Sequence, residues 1–223
     1  MKKNELSNVF YLHITEKHSG KMQGMASLST NPLENKQCSI NRTIEGSICK
    51  EGCFSCKQMK RYTALKNCLS LNLKTLTSEV LPLEELPKIN KMYFRFEAFG
   101  DLENEIQFIN YLNICKKNPR TNFAIWTKNP KIIKRVFEAG HEKPNNLIIV
   151  YSSLFLNKVV KLETLHEKMS MWFIDKVFTV FTKEYLKAHP EIIVNCGSNN
   201  CIDCLACYDP SFNNVIYINE EIK

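Results

Sequence analysis

The residues most able to do chemistry are cysteines, ten in a chain of 223 residues, seven of them in two short runs. The first run is Cys49-Lys50-Glu51-Gly52-Cys53-Phe54-Ser55-Cys56. Three thiolates on one such loop can reach three corners of an iron–sulfur cubane, with Gly52 helping the backbone turn around it. Three ligands leave the fourth iron open, as direct binding of a substrate or cofactor requires. A structural zinc site completed by Cys38 is the alternative. The second run, Cys196-Gly197-Ser198-Asn199-Asn200-Cys201-Ile202-Asp203-Cys204-Leu205-Ala206-Cys207, contains the C-x2-C-x2-C spacing of ferredoxin-type iron–sulfur proteins, with Cys196 upstream. Four thiolates would close that site and suit a structural or electron-transfer role, with zinc again the alternative. Spacing also leaves open that the two runs share a single centre.

The other candidates are less concentrated. Cys68 and Cys115 stand alone among apolar residues and read as small buried hydrophobes. His13, His18, His141, His166 and His189 are scattered without metal-ligand spacing. In Arg95-Phe96-Glu97-Ala98-Phe99-Gly100-Asp101, strand alternation places Arg95, Glu97 and Phe99 on one face. Charges inside an apolar strand are costly unless paired or used. Arg95 and Glu97 are therefore expected either to pair internally or to hold a polar ligand, with Gly100 permitting close backbone approach. Asp101 would serve that ligand or cap the following helix. Ser152-Ser153 would line a site at a strand end or begin a turn.

Composition bounds what such residues can belong to. Hydrophobic residues at 44% and charged residues at 24% are ordinary for a globular chain and exclude overall disorder. Thirty basic residues against 23 acidic ones give a net charge of +7, which permits nucleic-acid or phosphate contact without demanding it. Lys2 and Lys3 are followed by Asn4-Glu5-Leu6 instead of an apolar signal core. No apolar run approaches the ~20 residues of a membrane helix. A soluble cytoplasmic protein is expected, in a reducing compartment where clustered cysteines serve metals or redox chemistry more often than disulfides.

The elements that must position these residues follow from periodicity. Phe10–Ile14 and Met25–Thr30 read as strands, and residues 34–56 as a cysteine-bearing loop. A helix is expected from near Lys57, its apolar stripe built from Met59, Tyr62, Leu65, Leu69 and Leu73. Beyond Lys91 strands alternate with helices: strands at 92–99, 122–127, 146–151 and 176–182, and helices near 102–112, 130–139, 162–172 and 184–188, followed by apolar 192–194. The alternation predicts an α/β fold, either a partial (β/α) barrel or an open parallel sheet of five or six strands, with ligands at the strands' carboxyl ends. One domain over 1–223 is expected, comprising an N-terminal extension (1–24), the cysteine loop (34–56), βα repeats (91–195) and a cysteine-rich C-terminal segment (196–223).

The order Met25–Thr30, Cys49/Cys53/Cys56, the helix from Lys57, then Glu97 through Asp101 resembles the radical S-adenosylmethionine superfamily. More narrowly, the early cysteine loop, the Phe99-Gly100-Asp101 strand end, Trp126-Thr127-Lys128 and the terminal cysteine run ending at Tyr208 resemble the phage gene product 88 family over roughly residues 25–215. The first resemblance implies a 4Fe-4S cluster on Cys49, Cys53 and Cys56, beside the second metal that the spacing of Cys196, Cys201, Cys204 and Cys207 already suggests. It also implies S-adenosylmethionine as cofactor, reduced to a carbon radical that abstracts hydrogen, with Arg95, Glu97, Gly100, Asp101 and Lys128 as cofactor-binding candidates. The second implies a phage protein in the host bacterial cytoplasm without assigning a reaction; an unknown small molecule or nucleic acid is the expected partner. The alternative is a non-enzymatic protein stapled by zinc or iron–sulfur sites that binds nucleic acid or a host protein, with Lys57, Lys60, Arg61 and Lys66 as its basic face.

Overall fold

The computed structural model describes residues 12–197 and 199–222. Seven strands form one sheet in sequence order: β1 (Ile14–Thr15), β2 (Ala26–Leu28), β3 (Tyr93–Phe96), β4 (Asn122–Thr127), β5 (Leu147–Ser152), β6 (Lys176–Phe181) and β7 (Tyr217–Glu221). β1 is antiparallel to β2, and every later neighbour is parallel. β1 and β7 are the two ends of this order, so the recorded pairing is that of an open sheet. Parallel neighbours taken in chain order, each reached by a right-handed crossover, collect the crossover helices on one face.

The two faces have separate cores. Alternate strand residues Phe94, Phe96, Phe123, Ile125, Leu147, Ile149 and Val177 join the major core. Leu76 on α4 (Thr63–Ser78), Phe108 and Tyr111 on α5 (Glu105–Lys117), and Ile132 and Val136 on α6 (Pro130–Glu138) belong to it too. Phe96 is stacked between Tyr111 and Phe123, with ring centroids at 4.3 and 5.1 Å. Out-of-phase residues Ala124, Ile148 and Val150 form a smaller core with Met25 and Tyr208 on the opposite face. Trp126, Phe178, Cys201 and Cys207 border it. The cysteine-rich C-terminal segment thus covers the sheet face that the crossover helices leave free.

Sequence expectation and structure diverge where local polar chemistry outweighs periodicity. Residues 34–56 are helical in part, with α1 at Lys36–Thr43 and α2 at Ile48–Gly52. Neither has a strong apolar stripe; each is started by a capping side chain. Asn35 accepts from the Cys38 N–H at 2.8 Å and Ser47 from the Lys50 N–H at 3.1 Å. The helix expected from Lys57 is two, α3 (Phe54–Arg61) and α4, broken at Tyr62. Between residues 162 and 172 the expected helix is one short stretch, α-helical at Leu162 and Glu163 and π-helical over Thr164–Lys168, stopped by Ser170 at φ +51°. The short helices α7 (Lys183–Ala188) and α8 (Cys201–Cys204) follow. Of the expected strand 10–14, Phe10 and Tyr11 lie outside the described residues.

β3 stops at Phe96 because Glu97 adopts a left-handed φ of +54°. Strand alternation therefore does not extend to Glu97, and its side chain does not share a face with Arg95. Gly100, at φ +86°, lets the returning loop lie on this turn. A Cβ there would collide with Thr30 Oγ1 and come within 2.6 Å of Glu97 Oε2 and 2.7 Å of the Thr30 carbonyl. Gly100→Ala is expected to lower stability by about 2 to 4 kcal/mol, from left-handed strain plus overpacking. The urea midpoint of the variant against the parent protein measures it, and an unchanged midpoint would refute this account of the loop.

Candidate metal centres

The first cysteine set is held against the carboxyl ends of β3, β4 and β5. Asn35 Nδ2 donates to the Asp101 carbonyl at 2.8 Å, and Asn129 Nδ2 to Gln37 Oε1 at 3.0 Å. The Ile48 N–H donates to the Leu154 carbonyl at 2.9 Å, just past β5. Cys38 rides on α1, Cys49 on α2 and Cys56 on α3, with Cys53 at the junction of the last two. The Cys53 sulfur accepts from the Cys56 N–H at 3.5 Å. Arg42 Nη1 donates to Cys56 Sγ at 3.2 Å while also holding the Pro32 carbonyl at 2.7 Å. Burial pushes the Cys56 thiol up to about 11, helped by Cys53 and opposed by Arg42. Burial also raises Cys49, against the pull of Lys128, and raises Cys38 further, with Asp101 and Glu97 adding to it.

Glu97 and Asp101 are committed to the protein itself. Glu97 Oε2 accepts from the Thr30 N–H at 3.2 Å and its hydroxyl at 2.9 Å. Oε1 accepts from Gln107 Nε2 at 2.7 Å and from the Tyr111 hydroxyl. The expected Arg95–Glu97 pair is absent, because the turn at Glu97 carries its carboxyl to the α5 side. Asp101 does not cap a helix: α5 is capped by Asn104, whose side chain accepts from the Gln107 N–H at 2.9 Å. Asp101 instead binds the β4 end, accepting from Thr127 Oγ1 at 2.6 Å and the Lys128 N–H at 2.9 Å. Lys128 Nζ crosses to Ser152 Oγ at 2.8 Å, and Ser153 closes a turn on the Phe155 carbonyl at 3.0 Å.

The second set lies on the opposite sheet face. Tyr208, immediately after Cys207, is buried against Trp126 with centroids 5.4 Å apart and anchors the segment there. Leu205 ends α8 at φ +54°, a costly conformation for leucine that curls the chain between Cys204 and Cys207. Cys196 is bridged to Glu220 of β7. Burial, then Cys196, push the Cys207 thiol up to about 12, while Arg95 pulls it back. Cys196 and Cys201 are also raised by burial, each within reach of Lys21 and Cys204.

Basic side chains surround these sulfurs. Lys21 Nζ lies 3.9 Å from Cys196 Sγ and pairs with Glu220. Arg95 lies over Trp126, its Cζ 3.9 Å from the ring centre, with Nη1 3.5 Å from Met22 Sδ. Its buried Nε has no partner. Lys176, 3% exposed, donates to the Phe212 and Val215 carbonyls, both at 2.7 Å. Among the described residues neither Arg95 nor Lys176 has a carboxylate within ion-pair distance.

All ten cysteines are free thiols, and Cys115 is wholly buried in the major core. Among the described residues no three ligand side chains close to metal-binding geometry. The donor chemistry nonetheless fits a thiophilic metal: sulfur-only sets, half-buried except for the buried Cys56, with basic groups beside them. Sequence reasoning missed Lys21, Arg42 and Lys176. Lys176 alone left a signal, a charge opening an otherwise apolar strand.

The Glu97 web makes stability depend on pH. Burial pushes its carboxyl up to about 8 from an ordinary 4.5, with the Tyr111 and Thr30 donors opposing. The folded state therefore binds a proton that the unfolded chain has released between those values, so stability is greatest below 4.5 and falls as pH rises through 8. Urea midpoints under reducing conditions from pH 5 to 8 are expected to decline for the parent protein. Glu97→Gln should flatten the profile at a lower overall stability, since its NH2 must face two of the four donors.

No helix among the described residues is long and apolar enough to cross a membrane. No curated protein and no solved structure matches the chain. The family model described as gene product 88 matches residues 12–214, nearly the whole sheet and both cysteine sets. With that span matched, the chain belongs to the gene product 88 family of phage proteins.

Proposed function

We propose that this protein is an iron–sulfur protein with two cysteine centres, Cys49, Cys53 and Cys56 forming one ligand set and Cys196, Cys201, Cys204 and Cys207 the other. The observation that carries the proposal is the placing of cations without carboxylate partners beside the sulfurs: Arg42 on Cys56, and Arg95 and Lys176 near Cys207. A cation partly or wholly shielded from water without a counter-ion is costly, and thiolates binding a metal would supply the missing negative charge. The first set lies where parallel sheets hold their ligands, at the strands' carboxyl ends. A cluster bound by three cysteines supplies one-electron chemistry at an iron that a small molecule can reach. Lys128, between Asp101 and Ser152 and close to Cys49, is the side chain best placed to hold that molecule. Glu97 and Asp101 act through position, fixing the loop under the site. A radical S-adenosylmethionine-type reaction is the activity this first centre would serve, in a partial-barrel arrangement of the sheet.

Anaerobic purification with iron, acid-labile sulfide and zinc quantification tests the reading. A brown protein containing iron and sulfide is expected, with a Cys49→Ser/Cys53→Ser/Cys56→Ser variant losing one share and a Cys201→Ser/Cys204→Ser variant the other. Zinc without sulfide would overturn iron–sulfur in favour of structural staples. Failure to form 5′-deoxyadenosine from S-adenosylmethionine after chemical reduction would overturn the enzymatic part alone.

A second reading, a nucleic-acid-binding protein, rests on the exposed basic residues Lys57, Lys60 and Arg61 next to Phe54 and Tyr62, 64% and 47% exposed. Such a face would contact phosphates and stack bases. Binding to a single-stranded oligonucleotide that falls steeply with salt and is lost in Lys57→Ala/Lys60→Ala/Arg61→Ala is its expected signature; no binding at low salt would refute it.

A further inference from the structure

Arg95 is placed by its neighbours as a fixed charge. In register beside it are Ser27 on β2 and Ala124 on β4, both small, which gives a long side chain room to lie along the sheet. It ends over the Trp126 ring at 3.9 Å, where the π face favours a cation. Met22 covers one side, and Nε points at no acceptor. Nothing in this arrangement neutralises the guanidinium. Lys21, by contrast, already has Glu220.

Lys176 repeats the pattern from β6. Its ammonium is buried and held by two carbonyls, Phe212 and Val215, in the stretch of chain just after the cysteines. Carbonyl dipoles orient an ammonium without cancelling its charge. Trp126, under Arg95, borders the same small core as Cys201 and Cys207, and Lys176 grips the chain five and eight residues beyond Cys207. The four cysteines of this set also act on one another, Cys207 feeling Cys196, Cys201 and Cys204.

Resting on the metal reading above, we infer that Arg95 is a positioning residue whose charge, with that of Lys176, makes the Cys196–Cys207 set a site for a four-thiolate centre of net negative charge. Four thiolates on a divalent metal, or on a cubane core of the same charge, form a dianion. Two cations lacking carboxylates balance it. A set in which only two or three sulfurs ligated, the others staying protonated, would leave this face positively charged and buried. Trp126 and Tyr208, their rings in tilted contact, hold the cation and the cysteine segment in one block.

The test uses the full chain carrying Cys49→Ser, Cys53→Ser and Cys56→Ser, so that only the second set binds, under anaerobic conditions. Zinc affinity is measured against a chromophoric chelator, and cobalt(II) substitution counts thiolates from its sulfur-to-metal absorption. A four-thiolate cobalt spectrum is expected. Arg95→Gln should weaken zinc about 10- to 100-fold, as lost outer contacts of metal ligands do. Arg95→Lys should recover most of that loss, and Lys176→Met should weaken zinc in the same direction. Thermal melts of the metal-free forms should show Arg95→Gln equal to or more stable than the background protein, because a half-buried cation without a counter-ion is gone. Affinity unchanged in Arg95→Gln, or a spectrum of fewer than four thiolates, would overturn the inference while leaving a metal site in place. So would a metal-free form destabilised in proportion to the affinity loss, which would mark Arg95 as packing alone. No zinc or cobalt binding by the background protein would remove the metal reading of this set and the inference with it.

Discussion

Charge balance on the sheet face opposite the helices is the constraint that organises much of this protein. A half-buried guanidinium, its Nε sealed from solvent, and a buried ammonium sit there without acids among the described residues, and sulfurs border the same small core. Low local dielectric makes such an arrangement expensive unless the sulfurs carry charge. On the same face the small Ala124 stands at the middle of β4 among Tyr93, Trp126, Ile148 and Phe178, and Tyr208 of the C-terminal segment packs into that group. Tyr208 docking on Trp126, the left-handed turn at Leu205 and the bridge from Cys196 to β7 all follow from laying that segment on the sheet.

At the strands' carboxyl ends a different logic operates. Two buried carboxyls, Glu97 and Asp101, are saturated by donors from β2, β4 and α5. They work as internal knots, tying the ends of three strands into a platform on which α1 and α2 rest through Asn35 and Gln37. The first cysteine set therefore stands on a rigid base while its own helices are short and polar. Preorganised support under a more adjustable ligand loop is a common requirement of metal sites.

The α/β alternation from Lys91 onward was legible because buried parallel strands are apolar runs and their crossover helices have one apolar face. Strands β3 to β6 and helices α5 and α6 lie close to where periodicity puts them. Helices α1 and α2 were not legible: their caps at Asn35 and Ser47 are local polar events inside a stretch of turn-like composition. β7 was missed for a related reason, since Tyr-Ile-Asn-Glu-Glu at a sheet edge buries little and lacks an apolar run. The cysteine groupings and the oddity of Arg95 were visible from residue type alone. The fate of Glu97 was not, because one left-handed residue reverses the face that alternation assigns, and only the close approach of Gly100 to Thr30 reveals it.

The cysteine-rich segment lies between two neighbouring strands, β6 and β7. Thirty-five residues separate Phe181 from Tyr217, so the last strand must be brought home across a long excursion whose closure is entropically unfavourable. A metal clasp from Cys196 to Cys207 would shorten that excursion by fastening its middle to the sheet. Ion supply would thereby govern how firmly the final strand is seated, and the exposed flank of β6 would be sealed only in cells able to load the protein.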